Sequence, residues 1–241
     1  MGPMTAPLVI VSPHFDDAAL SCVSLVARHA GAVLLTVFGA GPPGVDPITR
    51  WDRASGFAPG DDVMAARAAE DLDACDALGA RQVRLEHWDS QYRTTRYGYD
   101  GPPDGAALVD SIVASIDEVV RNCVAPTDGV YHLAAPLGIG HGDHMYATRA
   151  VLIGVRRLEG ADLVLYEELP YAAERPRMRR RALQAVEDAG FSLEPLPLDM
   201  PGVVDKSRVI ACYASQVRAL GSKRVRTALD AEERYWRVTV D

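Results

Sequence analysis

The sequence predicts an α/β fold: one Rossmann-like domain over residues 1–241, a three-layer α/β/α arrangement on a mostly parallel sheet. Short apolar runs rich in β-branched residues, at 8–11, 31–38 and 163–166, have strand length. They alternate with longer segments of helical period, which is the order of βαβ units. Polar residues gather directly after several of the strands, at the edge where open α/β sheets bind ligands.

The first run stops at Pro13, which cannot donate to a ladder. His14, Asp16 and Asp17 come next, followed by a helical pattern over 18–30. After the second strand, residues 39–60 show no clear period but carry Trp51 and Phe57, costly residues to leave in water. A lid is favoured there over a plain surface loop. Residues 61–78 form a helix capped by Asp61 or Asp62 and stopped by Gly79. Within it Arg67 and Glu70 lie one turn apart, by themselves a surface ion pair of little worth.

Residues 81–87 read as a third strand that delivers Trp88, Asp89 and Arg93, and 106–120 as an amphipathic helix. A strand over 129–134 leads into the glycine-rich stretch from Gly138 to His144, then a helix over 145–155. After the strand at 163–166, Glu167 and Glu168 are placed to face a pocket. A helix from Pro176 to Gly190, a proline-rich connection through Pro201 and a last helix over 206–220 follow. The tail at 232–236 packs back onto the domain.

A chain of 241 residues supports one sizeable core. A net charge of −8 speaks against a nucleic-acid partner. The basic run at Arg175, Arg177 and Arg179–Arg181 is read as a solvated helix face. The four cysteines form no C-x-x-C pair and are read as buried thiols in a reducing compartment. With no secretory leader and no apolar stretch long enough to span a bilayer, a cytoplasmic protein with no membrane partner is expected. Homo-oligomerisation is left open.

One Asp would suffice to cap the helix after Pro13, but a cap explains neither the second Asp nor His14. Imidazole and carboxylate at close spacing form half of a transition-metal site. In Gly138–His144, His141 and His144 are three apart at a helix start, and Asp143 between them can orient an imidazole without binding metal.

Pro13-His14-Phe15-Asp16-Asp17 together with His141-Gly142-Asp143-His144 resembles the two motifs of the LmbE-like, or PIG-L, family of zinc-dependent N-deacetylases. The resemblance implies a zinc ion held by His14, Asp17 and His144, and Asp16 as general base. It implies that His141 stabilises the tetrahedral intermediate or protonates the leaving amine. It also implies that Arg67, in an Arg-x-x-Glu, reaches the substrate. Asp89 and Arg93 are expected at sugar hydroxyls, with Trp51 in the lid also touching substrate. The implied reaction removes an N-acyl group from an amino-sugar conjugate such as a natural-product intermediate. The alternatives are a metal-dependent amidase or carbamoyl hydrolase on a non-sugar, and a silent ligand-binding module. The chain departs from the family at Phe15, at Ala18 and at Ile139, where the thiol-cofactor deacetylase has Tyr.

Overall fold

Alternation along β1 (Leu8–Ser12) sets the layers. Val9 and Val11 join one apolar cluster, and Leu8 and Ile10 join another. A strand whose successive side chains point to opposite faces, both apolar, must lie between two covering layers. The computed structural model describes residues 6–44, 48–102, 104–123, 130–158, 160–198 and 204–240.

The other strands are β2 (Val33–Thr36), β3 (Arg81–Arg84), β4 (Tyr131–Pro136), β5 (Ala161–Tyr166), β6 (Phe191–Leu196) and β7 (Tyr235–Val240). The described residues form one seven-stranded sheet in the order β3-β2-β1-β4-β5-β7-β6. The first five pair in parallel, with Val9 beside Val33 and Leu133. β7 runs antiparallel to both β5 and β6.

The helices are α1 (Asp17–Ser21), α2 (Val23–Val26), α3 (Arg50–Ser55), α4 (Val63–Leu78), α5 (Gly105–Cys123), α6 (Gly142–Gly154), α7 (Tyr171–Glu174), α8 (Pro176–Asp188), α9 (Lys206–Ala211) and α10 (Ala214–Asp230). Ile112 of α5 and Val151 of α6 pack with Val9 and Leu133, whereas Leu25, Val26 and Cys75 pack with Ile10 and Leu34. The mostly parallel α/β architecture is therefore as expected. Among the described residues, no helix is long and apolar enough to cross a membrane.

Several expectations need correction. The helix read over 18–30 is two short helices, broken where Cys22 takes φ −132° and ψ 15°. The supposedly patternless loop contains α3, started by a capping box: Asp52 N donates to Thr49 Oγ1 at 3.0 Å and Thr49 N to Asp52 Oδ2 at 2.8 Å. Residues 45–47 of that loop lie outside the described residues. The last helix is likewise two, α9 and α10.

The start of the proline-rich connection is β6; its Pro195 is tolerated because β6 is an edge strand. Its later part, 199–203, lies outside the described residues, as does 129 at the expected start of β4. The tail forms β7, which pairs inside the sheet. Cys22 and Cys75 are buried, but Cys123 and Cys212 are only half-buried. Arg179 leaves the solvated face of α8 to donate to Glu167 Oε2 at 2.7 Å.

Candidate metal centre and active site

Strand order reverses between β1 and β4: the chain builds outward from β1 to β2 and β3 on one side, and from β4 to β5 on the other. Such a reversal opens a crevice beyond the carboxyl ends of the two strands. The His14 loop follows β1 and the His141 loop follows β4, so two segments far apart in sequence meet there. A cleft of about 250 Å³ is lined by His14, Asp16, Asp17 and His141 on this side.

Asp17 is the centre of the cluster. Its Oδ2 lies 3.1 Å from His14 Nδ1 and 3.2 Å from His144 Nε2. The other nitrogen of each ring meets oxygen. His14 Nε2 is 3.1 Å from Asp143 Oδ2. His144 Nδ1 is 3.2 Å from the Ile139 carbonyl and 3.3 Å from Glu168 Oε1. These oxygens only accept, so those nitrogens carry the protons. In the neutral rings, two lone pairs then face one carboxylate oxygen, and a cation is needed between them. His144 Nε2 is buried without a hydrogen-bond partner.

Protons can meet that need. Burial alone would lower the His14 pKa, but Asp89, Asp143 and Asp17 outweigh it and raise it to about 10. Burial also opposes the charge on His144, yet Asp17 and Glu168 push its pKa well up. A divalent metal meets the same need. Tetrahedral bonds of about 2.0–2.1 Å separate neighbouring ligand atoms by about 3.3 Å, close to both spacings around Asp17 Oδ2. Two imidazoles and one carboxylate are a zinc-type donor set. The chemistry of these donors therefore fits a metal, while the three-residue groups whose donor atoms all lie within 4.8 Å of one another are His14–His141–His144 and His14–Asp89–Asp143, among the described residues.

Asp143 meets the imidazole of His14, across from its own loop. Burial would raise its pKa, but His14 and Arg93 hold its carboxyl well below the usual range. It also accepts from Ser90 N at 3.1 Å. His141 has a ring nitrogen within 4.8 Å of nitrogens on His14 and His144. It caps α6, with Nδ1 accepting from Asp143 N at 3.2 Å. That leaves Nε2 as its donor. Burial, then His14 and His144, push its pKa down to about 4, so the ring is neutral at pH 7.

Asp16 stands at the N-cap of α1, yet its side chain makes no cap bond. It lines the cleft instead, 3.9 Å from Arg67. Burial and the adjacent Asp17 raise its pKa, against Arg67 and His14. Capping thus does not account for this residue.

Arg67 is 3% exposed and donates to Asp89 Oδ2 at 3.2 Å. The surface pair with Glu70 is not formed. Glu70 accepts from Ser215 N at 2.7 Å and Ser215 Oγ at 2.6 Å. The difference matters, because breaking a buried pair costs roughly 3–5 kcal/mol, against about 0–1 kcal/mol for an exposed one. Asp89 lines the cleft and also accepts from Gln91 N at 3.2 Å, so it both caps a turn and faces the site.

Trp51 also lines the cleft, with Nε1 donating to Gln216 Oε1 at 3.0 Å. Arg93 differs from expectation. It lies behind the site, pairs with Asp143, donates to the Trp88 carbonyl at 2.8 Å and stacks over Phe38 at 4.8 Å. Glu167 and Glu168 also do not line the cleft. Glu167 is taken by Arg179 and by Trp236 Nε1 at 2.9 Å.

Sequence reasoning missed Gln91, Tyr171 and Leu220, which line the cleft with Leu20, Ser90 and Pro170, and it read Gln216 only as structural support for the site. Tyr171 follows Glu167 and Glu168 beyond a strand end, which is a usable signal. Its ring meets His144 edge-on, centroids 5.3 Å apart, while Ile139 is fully buried. Gln216 sits on α10 in a Ser-Gln pair that the family resemblance marks as support for the site, and it lines the cleft itself; Leu220 on the same helix carries no local signal.

A family model described as PIG-L: GlcNAc-PI de-N-acetylase matches residues 9–153. The 2'-N-acetylparomamine deacetylase of Streptomyces fradiae is 32% identical over 217 residues, 86% of this chain and 72% of that protein. A solved structure of the A40926 pseudoaglycone deacetylase superposes with a TM-score of 0.73 over 98% of each chain, at 26% identity. The fold is shared with a deacetylase–bog complex from the teicoplanin biosynthesis pathway, with a TM-score of 0.77, 98% of each chain and 24% identity. The chain belongs to the PIG-L family of de-N-acetylases.

Proposed function

We propose that this protein is a zinc-dependent N-deacetylase acting on an amino-sugar-containing small molecule, with His14, Asp17 and His144 as the metal ligands. The observation that carries the reading is the pairing of neighbours: Asp17 holds two imidazoles, while Asp16 lines the cleft without a cap bond. When bound, the metal polarises the acyl carbonyl and lowers the pKa of a water molecule.

The rest of the chemistry belongs to the chain. The Asp16 carboxylate accepts the proton of the attacking water, and its raised pKa brings it nearer the working pH of a general base. His141, neutral and with Nε2–H free to donate, stabilises the developing oxyanion. Its lowered pKa favours this role over that of resident acid. The proton collected by Asp16 is then available to the leaving amine.

Arg67 and Asp89, locked together and facing the cleft, are placed to bind sugar hydroxyls. Pockets that hold a whole drug-sized ligand run to about 300–1,000 Å³. A cleft of about 250 Å³ suits one acylated amino-sugar ring, with the remainder of the conjugate outside. The relative that acts on 2'-N-acetylparomamine supports that substrate class. We assign the protein to the cytoplasm on the strength of its four unpaired cysteines.

The test is acetate release by the zinc-loaded protein from a panel of N-acetylated amino sugars and pseudodisaccharides, with simple acetamides as controls. Turnover confined to the sugars is expected. Equal turnover of the controls would favour a general amidase, and none on any compound would favour a binding module.

A further inference from the structure

Glu168 is fully buried just beyond the end of β5, and the chemistry above gives it no part. Burying a carboxylate is costly unless its oxygens are well used. Its Oε1 accepts from Gly138 N at 2.7 Å and from Ile139 N at 2.8 Å. The same oxygen lies 3.3 Å from His144 Nδ1. Oε2 is buried with no hydrogen-bond partner.

The segment it grips is the turn that delivers His141. Gly138 and Gly140 take φ 94° and φ 82°, where a side chain is strained. An added Cβ at Gly140 would also stand 2.7 Å from the Tyr171 ring. One carboxylate oxygen therefore ties together the His141 turn and the His144 ring. Asp143 stands in the same relation to His14. Each of the two imidazoles thus has its own buried carboxylate on the nitrogen that faces away from Asp17.

We propose that Glu168 is a positioning residue: it fixes His144 with Nδ1 protonated and Nε2 open to the metal, and it anchors the 138–140 turn that carries His141. This rests on the metal-site reading above. A carboxylate that only anchors the turn would leave metal affinity untouched once the turn is kept.

Glu168→Gln separates the two. The carboxamide oxygen still accepts from Gly138 and Ile139, while the negative charge facing His144 is lost. Zn²⁺ affinity, measured by chelator competition, should weaken by about 10–100-fold, the usual effect of losing such a partner. The thermal midpoint of the metal-free variant should stay near that of the parent. Affinity equal to the parent would overturn the proposal.

Should that variant fail to fold, the parent protein can still overturn the proposal. In the Zn²⁺-loaded form, ¹⁵N–¹H correlation of the imidazoles should show His144 as the Nδ1–H tautomer. An Nε2–H tautomer would overturn the proposal. A parent that binds no Zn²⁺ would sink the metal-site reading and this inference together, whereas a parent that binds it alongside an unaltered variant sinks this inference alone.

Discussion

The two walls of the cleft are built on different principles. The wall beyond β1 and β4 is ionic: His14 and Asp17 line it, and His144, Asp143 and Glu168 are buried behind them, so that His14 and His144 each meet carboxylates. The other wall, the lining supplied by α3 and α10, is neutral. There Trp51 donates to Gln216, and Gln216 Nε2 donates to Ser215 Oγ at 2.8 Å. Thr49, at the start of α3, donates to Gln91 Oε1 at 2.6 Å and so ties that wall to the Asp89 turn. Charge gathered on one side can hold a metal and move protons. The other side offers an indole face whose N–H is already used, so it can stack on a sugar ring but not hydrogen-bond to it.

That division orders the expected effects. The largest come from the ionic wall. Asp17→Asn or His144→Ala should lose metal and activity together, read as metal per chain by mass spectrometry beside acetate release. Full metal occupancy in His144→Ala would break the ligand assignment.

Smaller effects belong to the neutral wall. Trp51→Ala should raise KM by roughly tenfold with little change in kcat, the scale of a lost aromatic contact of about 1.5 kcal/mol. Gln216→Leu, which frees the indole without removing it, should raise KM about 2–5-fold, the net value of a neutral hydrogen bond. If kcat fell instead, these residues would belong to the catalytic set.

The smallest effect is thermodynamic. His14 is raised to about 10, and Asp17 and Glu168 push His144 in the same direction, so protons compete with metal at these rings. Affinity should therefore rise with pH from 7 towards 10, and binding should release protons. Calorimetry in buffers of different ionisation enthalpy checks this, and an enthalpy independent of the buffer would contradict it.

The same contrast explains what could be read from the sequence. The ionic wall lies mostly in two short stretches, each at a strand end; local spacing brings His14 beside Asp17, and the pairs His14–Asp143 and His144–Asp17 form when those two strand ends meet. The neutral wall joins positions 165 apart in sequence, and no local pattern links Trp51 to Gln216. Between these extremes is α3, whose Thr49-x-x-Asp52 capping box was present in the sequence but masked by surrounding glycine and proline. Arg93 was misplaced because a strand-end position says where the backbone goes, not that Asp143 will capture the guanidinium. β6 was hidden for another reason: proline marks a connection locally, and only the sheet order makes it an acceptable edge.

The most direct test of the account is the separation of two adjacent carboxylates. Asp16→Asn and Asp17→Asn differ by one position and by nothing in chemistry. Metal stoichiometry and kcat should be measured on both purified variants. Asp16→Asn should keep its metal while kcat falls by roughly 10²–10⁴-fold, the loss expected for a positioned proton acceptor. Asp17→Asn should lose metal and turnover together. An Asp16→Asn enzyme that turns over normally would place the base elsewhere and contradict the assignment of roles along the ionic wall.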